Sequence, residues 1–179
     1  MYRIAVAALA ATLLLPGALH AQPQDCGSII ARDPQLARAT SALERTGILE
    51  NLRGIGPITV FAVTDQGIAR QPENLAQMLF PMAGGSLGGP DIDPVLAPNV
   101  VNAHIVDGRI GADQLRPGMS LRSRSGGSIQ VVDEGGRLAL RPGPGGFSIG
   151  ARPADAHVVQ PDIGCSNGVV HKIDHVLVR

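Results

Sequence analysis

The C-terminal stretch 161–179, PDIGCSNGVVHKIDHVLVR, decides the fold. Asn167-Gly168 is the strongest hairpin signal in the chain, because Asn-Gly adopts the backbone that joins two antiparallel strands. It predicts strands over about 156–163 and 169–178. After the turn, Val169, His171, Ile173, His175 and Leu177 fall on one face of a strand. Val170, Lys172, Asp174, Val176 and Val178 fall on the other. His171 and His175 have the HxxxH spacing that places two metal ligands on one helix face. On a strand the same spacing separates them by about 13 Å, too far for one ion. No metal site is assigned.

Upstream of the hairpin, Leu121, Ile129, Val131, Leu138 and Leu140 mark short apolar runs separated by Ser-Gly-Gly and Glu-Gly-Gly. That pattern predicts an antiparallel meander from Met119 onward. Residues 142–153 are rich in Pro and Gly and read as an irregular loop. The N-terminal half reads differently. Asp33-Pro34 is a helix start, with an N-cap acid and Pro in the first helical position. Leu36, Ala39, Thr40 and Leu43 follow at helical spacing, with Gly47 as C-cap. A shorter helical piece carries Ile48, Leu49 and Leu52. The β-branched run 58–63 predicts a buried strand leading into Thr64-Asp65, polar residues suited to capping the turn or short helix that follows. Residues 72–79 predict a helix stopped by Pro81, and 95–103 a helix leading into a strand at 104–106. Helices early and antiparallel strands late predict an α+β fold.

The chain has 179 residues, 44% hydrophobic and 17% charged, with no net charge. That suits one domain and excludes a disordered chain. Aromatics are 2% of the sequence. Stacked single-stranded nucleic acid and aromatic-cage ligands are therefore poor expectations, and the core must be built from Val, Ile, Leu and Ala. Met1-Tyr2-Arg3 and the apolar residues 4–15, broken by Pro16-Gly17, fit a secretory signal peptide cleaved after Ala21. The run is too short to span a bilayer, and no later segment reads as a transmembrane anchor. Residues 1–21 are the expected signal peptide, 22–32 an N-terminal segment and 33–179 the domain. The mature chain would be periplasmic or extracellular. Losing Arg3 leaves 14 of the 15 basic residues against 15 acidic ones, which is no footprint for nucleic acid. Cys26 and Cys165 are the cysteines. Export permits a disulfide between them, with two free thiols as the alternative. There is no CxxC or zinc-type spacing, and no cofactor is implied.

Three segments together resemble the fasciclin domain. Residues 56–68, GPITVFAVTDQGI, resemble its first block, usually close to GPFTVFAPTDEAF. Residues 100–110, VVNAHIVDGRI, resemble its central Tyr-His block. Residues 161–179 are similar to its closing block, typically DI-x-x-SNGVIHVIDxVL. The resemblance implies a wedge of mostly antiparallel strands packed with helices. It also implies an exported, non-enzymatic adhesion or binding module. Thr64, Asp65, His104, Ser166, Asn167, Gly168 and His171 are its structural motif positions. Ala103 stands where the family has the Tyr associated with partner binding in animal members, and Ile68 replaces a Phe.

Four candidate sites follow. Asp162-Ile163 matches a dipeptide linked to adhesion in animal members, as Asp91-Ile92 does more loosely. Arg122, Arg124, Arg137 and Arg141 would share the outer face of the meander if its apolar residues point inward. Their guanidinium groups would suit an anionic glycan. His104, in an apolar stretch, is expected to be buried and hydrogen-bonded; the family resemblance implies a partner in the first or last block, with Asp65, Ser166 and Asn167 as candidates. Finally, residues 84–88 match GxSxG, so the alternative function is a small exported serine hydrolase using Ser86. The motif carries meaning only between a strand and a helix, and here it lies in a glycine-rich loop. A purely structural envelope protein is the other alternative. The favoured partner is a cell-surface or extracellular protein or an anionic glycan.

Overall fold

A computed structural model describes residues 23–82, 92–145, 148 and 154–179. The GxSxG stretch with Ser86, and Asp91, lie outside the described residues. Helices α1 (Cys26–Arg32), α2 (Ala37–Arg45) and α3 (Ile48–Gly54) come first, with a 3-10 turn at Pro34–Leu36. Strand β1 (Ile58–Val63) follows, then α4 (Asp65–Ile68), α5 (Glu73–Leu79) and α6 (Leu96–Ala103). The strands β2 (Ile105–Asp107), β3 (Ser120–Arg122), β4 (Ser128–Glu134), β5 (Arg137–Pro142), β6 (Ala156–Cys165) and β7 (Gly168–Ile173) complete the chain. The fold is α+β with its helices mainly N-terminal, as expected.

Local chemistry sets the helix boundaries. Asp25 caps α1 by accepting from the Ser28 N–H at 2.7 Å. Asp33 caps the 3-10 turn, with Pro34 in its first position. Gly47 takes φ 72° between α2 and α3, a left-handed conformation that suits glycine. Helix α1 falls within the stretch 22–32, where no element was expected; at seven residues it is too short for a clear period.

The strands form one sheet in the order β2-β1-β7-β6-β5-β4-β3. All neighbours are antiparallel except β1 and β7, which run parallel from Ile58↔Gly168 to Val63↔Ile173. β1 and β7 are inner strands, each paired on both sides, and are buried along their whole length. The outer strands β2 and β3 also meet. Val106 bridges to Ser123, the Arg124 N–H donates to the Ile105 carbonyl at 2.8 Å, and the Arg124 side chain pairs with Asp107. This closure occupies edges that would otherwise be open to pairing. Among the described residues the core is aliphatic apart from Phe61 and Phe80; Phe61 is wholly buried with Ile30, Leu36, Leu52, Ile58 and Ile173.

The structure corrects two expectations about the closing segment. The last strand ends at Ile173, so His175 and Leu177 do not continue its face. Apolar residues continue after Ile173, but the chain leaves the sheet and buries the consecutive Val176, Leu177 and Val178 in the core. The hairpin turn also differs. Cys165 pairs with Gly168, so Ser166-Asn167 form the loop and Gly168 begins β7. Neither loop residue nor Gly168 has positive φ. Glycine is needed at 168 for close approach instead: a Cβ there would lie 2.1 Å from the Ile58 carbonyl oxygen on the parallel neighbour.

Cys26 and Cys165 form a disulfide across 139 residues, with Cα atoms 5.1 Å apart and both side chains buried. It ties α1 to the end of β6.

Candidate functional site

The motif residues are spent mostly on the main chain. Thr64 caps α4, its Oγ accepting from the Gly67 N–H at 3.1 Å. Asp65 does not cap the helix it begins. Its Oδ1 accepts from the Arg38 N–H at 2.9 Å. That supplies the cap α2 lacks locally, because α2 is preceded by Leu36 with no side-chain cap.

Asn167 joins three segments. Its Oδ1 accepts from the Cys26 N–H at 2.9 Å, and its Nδ2 donates to the carbonyls of Leu52 (2.7 Å) and Ile55 (2.8 Å). Its own carbonyl accepts from the Ile58 N–H at 3.1 Å. The Ser166 N–H donates to the Gln24 carbonyl at 2.9 Å. His171 is wholly buried and stacks on Phe61 with ring centroids 5.6 Å apart. Its Nδ1 accepts from the Asp162 N–H at 3.2 Å and its Nε2 donates to the Ile110 carbonyl at 2.8 Å.

His104 is 5% exposed, as expected, but none of its expected partners is present. Its Nδ1 donates to the Val100 carbonyl at 2.7 Å, one turn back on α6. Its Nε2 accepts from the Leu177 N–H at 2.8 Å. Asp65 and Asn167 are committed elsewhere. Because Nε2 must accept, the ring is neutral, and burial pushes its pKa down to about 4.

Asp162 lies in a bulge of β6, between the pairs Gln160↔Lys172 and Ile163↔Val170, with φ 57°. Its Oδ1 accepts from the Ala112 N–H at 2.8 Å, tying the bulge to the β2–β3 connection. Ile163 is half-buried against the core.

The four arginines do not form one cluster. Register places Arg122 opposite Ser128, Arg141 opposite Gln130 and Arg137 opposite Glu134, so these three share a face. Ser128 and Glu134 are about 20 Å apart along β4, which separates Arg122 from Arg137. Arg124 lies beyond β3 and closes the β2–β3 seam by pairing with Asp107 at 2.6 Å. Arg141 pairs with Asp155 and lies 3.8 Å from Glu134. The hydrogen bond from Arg141 holds the Asp155 carboxyl below its usual range despite some burial. Arg122 and Arg137 are exposed and have no ion-pair partner among the described residues.

Two polar clusters escaped the sequence reading. Lys172, the sole lysine, is buried in β7 and pairs with Asp33 while donating to Gln35 at 3.0 Å. Asp174 accepts from Arg70 (3.0 Å) and from the His157 N–H (2.7 Å), and lies 3.0 Å from His175 Nδ1. Burial would raise its carboxyl, but these bonds outweigh it and hold it below the usual carboxylate range. His157 Nε2 also lies 3.0 Å from Glu134. Only the residue types were legible in advance, since every partner except the adjacent His175 is distant in sequence. Among the described residues no His, Cys, Asp and Glu groups converge to hold a metal ion. No helix among them is long and apolar enough to cross a membrane.

Comparison with known proteins gives the same architecture. The chain is 27% identical over 153 residues to uncharacterized protein sll1735 of Synechocystis sp., covering 84% of this chain and 94% of that one. It is 25% identical over 150 residues to protein sll1483 of the same organism, covering 84% and 71%. Its fold is similar to that of a FAS1 domain pair from the insect cell adhesion molecule Fasciclin I, with TM-score 0.64 and 17% identity. That match covers 87% of this chain and 51% of the pair. Residues 34–179 match the family model for the fasciclin domain, and the chain belongs to that family.

Proposed function

We propose that this protein is exported, is cleaved after Ala21, and acts as a non-enzymatic binding module for cell-surface or extracellular partners. One observation carries the reading. The motif side chains Thr64, Asp65, His104, Asn167 and His171 all spend polar atoms on main-chain groups within the fold. They serve architecture, which leaves recognition to the exposed surface. The disulfide fits an oxidising compartment.

In this reading Asp162 and Ile163 shape the bulge and its contact with the β2–β3 connection, while the arginine face contacts an anionic glycan. Within that face Arg122 and Arg137 are the contact residues. Arg124 and Arg141 are held by carboxylates and act as supports.

The test has two parts. N-terminal sequencing of the exported protein is expected to begin at Gln22, and retention of residues 1–21 overturns the export reading. On an immobilised polygalacturonate column at low salt, the mature protein is expected to be retained, and R122S/R137S to elute earlier. Unretained wild-type protein overturns the anionic-glycan assignment.

A further inference from the structure

The internal cavity beside His104 is lined by Leu43, Val60, Phe80 and Val101 and holds about 30 Å³. It is too small for anything but water. A different depression, of about 560 Å³, lies where β1 and β7 end. Its volume falls in the range of small-molecule sites. These two strands are the parallel pair of the sheet, and their last residues, Val63 and Ile173, are in register. The chain therefore leaves both strands at one edge, through Thr64-Asp65-Gln66 and through Asp174. Ligands gather beyond the carboxyl ends of parallel strands for this reason: diverging connections leave a crevice there. Gly67 lets α4 close one side of the crevice, since a Cβ at that position would lie 2.7 Å from the Asp174 carbonyl oxygen.

The walls define the ligand chemistry. Gln66 and Gln160 are exposed, and their side-chain amides have no hydrogen-bond partner among the described residues. Gln35 spends its Oε1 on Lys172 and keeps its NH2. The Gln66 and Gln160 amides each offer donors and an acceptor in one plane, the pattern that matches paired hydroxyls. Arg70 donates to Asp174 at 3.0 Å, so its charge is compensated. Asp65 adds a second carboxylate to the lining. Two carboxylates against one guanidinium disfavour an anion. Val159, 53% exposed, adds an apolar wall.

We propose that this crevice, formed by Gln35, Gln66, Arg70, Val159, Gln160 and Asp174, binds an uncharged saccharide. Its hydroxyls meet the amides and its C–H face lies on Val159. No aromatic side chain among the described residues lines the site, so a single ring is held weakly. Useful affinity arises from repeating units along a chain. The inference concerns a second surface, separate from the arginine face, and does not depend on anionic-glycan binding there.

The test is an NMR titration of the ¹⁵N-labelled mature protein. The probes are cellotriose, maltotriose and N,N′,N″-triacetylchitotriose, with trigalacturonate as the charged counterpart. At least one neutral trisaccharide is expected to shift the Gln66 and Gln160 side-chain NH2 signals, with a Kd on the order of 1 mM. Q66A/Q160A is expected to weaken that Kd about fivefold or more, and its unfolding temperature should not change because both side chains are exposed. R122S is expected to bind the neutral sugar like wild type. The proposal is overturned if no neutral trisaccharide shifts these signals at roughly 50 mM. It is also overturned if the shifts map elsewhere, or if trigalacturonate occupies the crevice more tightly. A protein that fails on the polygalacturonate column but passes here loses only its anionic-glycan assignment; the reverse result removes only the crevice.

Discussion

At the scale of single residues, His104 shows how one side chain can be both motif and fastener. Its Nε2 accepts from the Leu177 N–H and its Nδ1–H donates to the Val100 carbonyl, so it pins the chain at Leu177 onto α6. The arrangement needs the neutral ring. In the unfolded chain the imidazole titrates near 6.5, and in the folded protein near 4. Between these values the unfolded state binds more protons. Stability from this group is therefore complete above about pH 6.5 and is lost as pH falls towards 4. The shift corresponds to about 3 kcal/mol. In denaturant unfolding measured from pH 7 to pH 4, the wild type is expected to lose stability more steeply than His104→Gln. Subtracting the two curves removes the contribution of the other histidines. Parallel curves would show that His104 is not the titrating group. That this histidine is buried was legible from its apolar neighbours. Its partners were not, because both are main-chain groups and one lies 73 residues away.

At the scale of elements, the dependence of α2 on Asp65 illustrates what a local reading misses. The Thr64-Asp65 pair looks like a cap for the helix that follows, and Thr64 is one. Asp65 instead reaches back to the Arg38 N–H, while the Arg38 side chain donates to the carbonyls of Phe80 (2.8 Å) and Ala76 (2.9 Å). One residue on α2 thus meets the corner after β1 through its backbone and the end of α5 through its guanidinium. Removal of the cap by Asp65→Ala is expected to cost about 1 kcal/mol of unfolding free energy, the ordinary worth of an N-cap. Asp65→Asn keeps an acceptor and is expected to recover most of it. Equal losses in the two variants would mean that the charge, and not the cap, is what matters. The strands were easier to foresee than their ends. The run 58–63 is β-branched and unambiguous, whereas the apolar residues after Ile173 belong to a segment that has already left the sheet. Apolar character reports which residues are buried, and residues 176–178 are buried in succession without being strand.

At the scale of the whole molecule, the N-terminal helix is attached to the far end of the chain by three links at one corner. The disulfide joins Cys26 to Cys165, the Cys26 N–H donates to Asn167, and the Ser166 N–H donates to the Gln24 carbonyl. The hydrogen bonds hold α1 in place in the folded state. The covalent link acts mainly on the unfolded state, by closing a loop of 139 residues. These roles predict different consequences. In C26S/C165S the hydrogen bonds remain, so the folded structure and the docking of α1 are expected to persist, checked by amide hydrogen exchange of residues 26–32. The unfolded ensemble is freed, so unfolding free energy is expected to fall by about 3–5 kcal/mol. The denaturant m-value is expected to rise, because the open chain exposes more surface. An unchanged unfolding midpoint would remove the disulfide from the stability of the fold. A loss of protection confined to α1, with the midpoint unchanged, would show that the bond serves only to hold that helix.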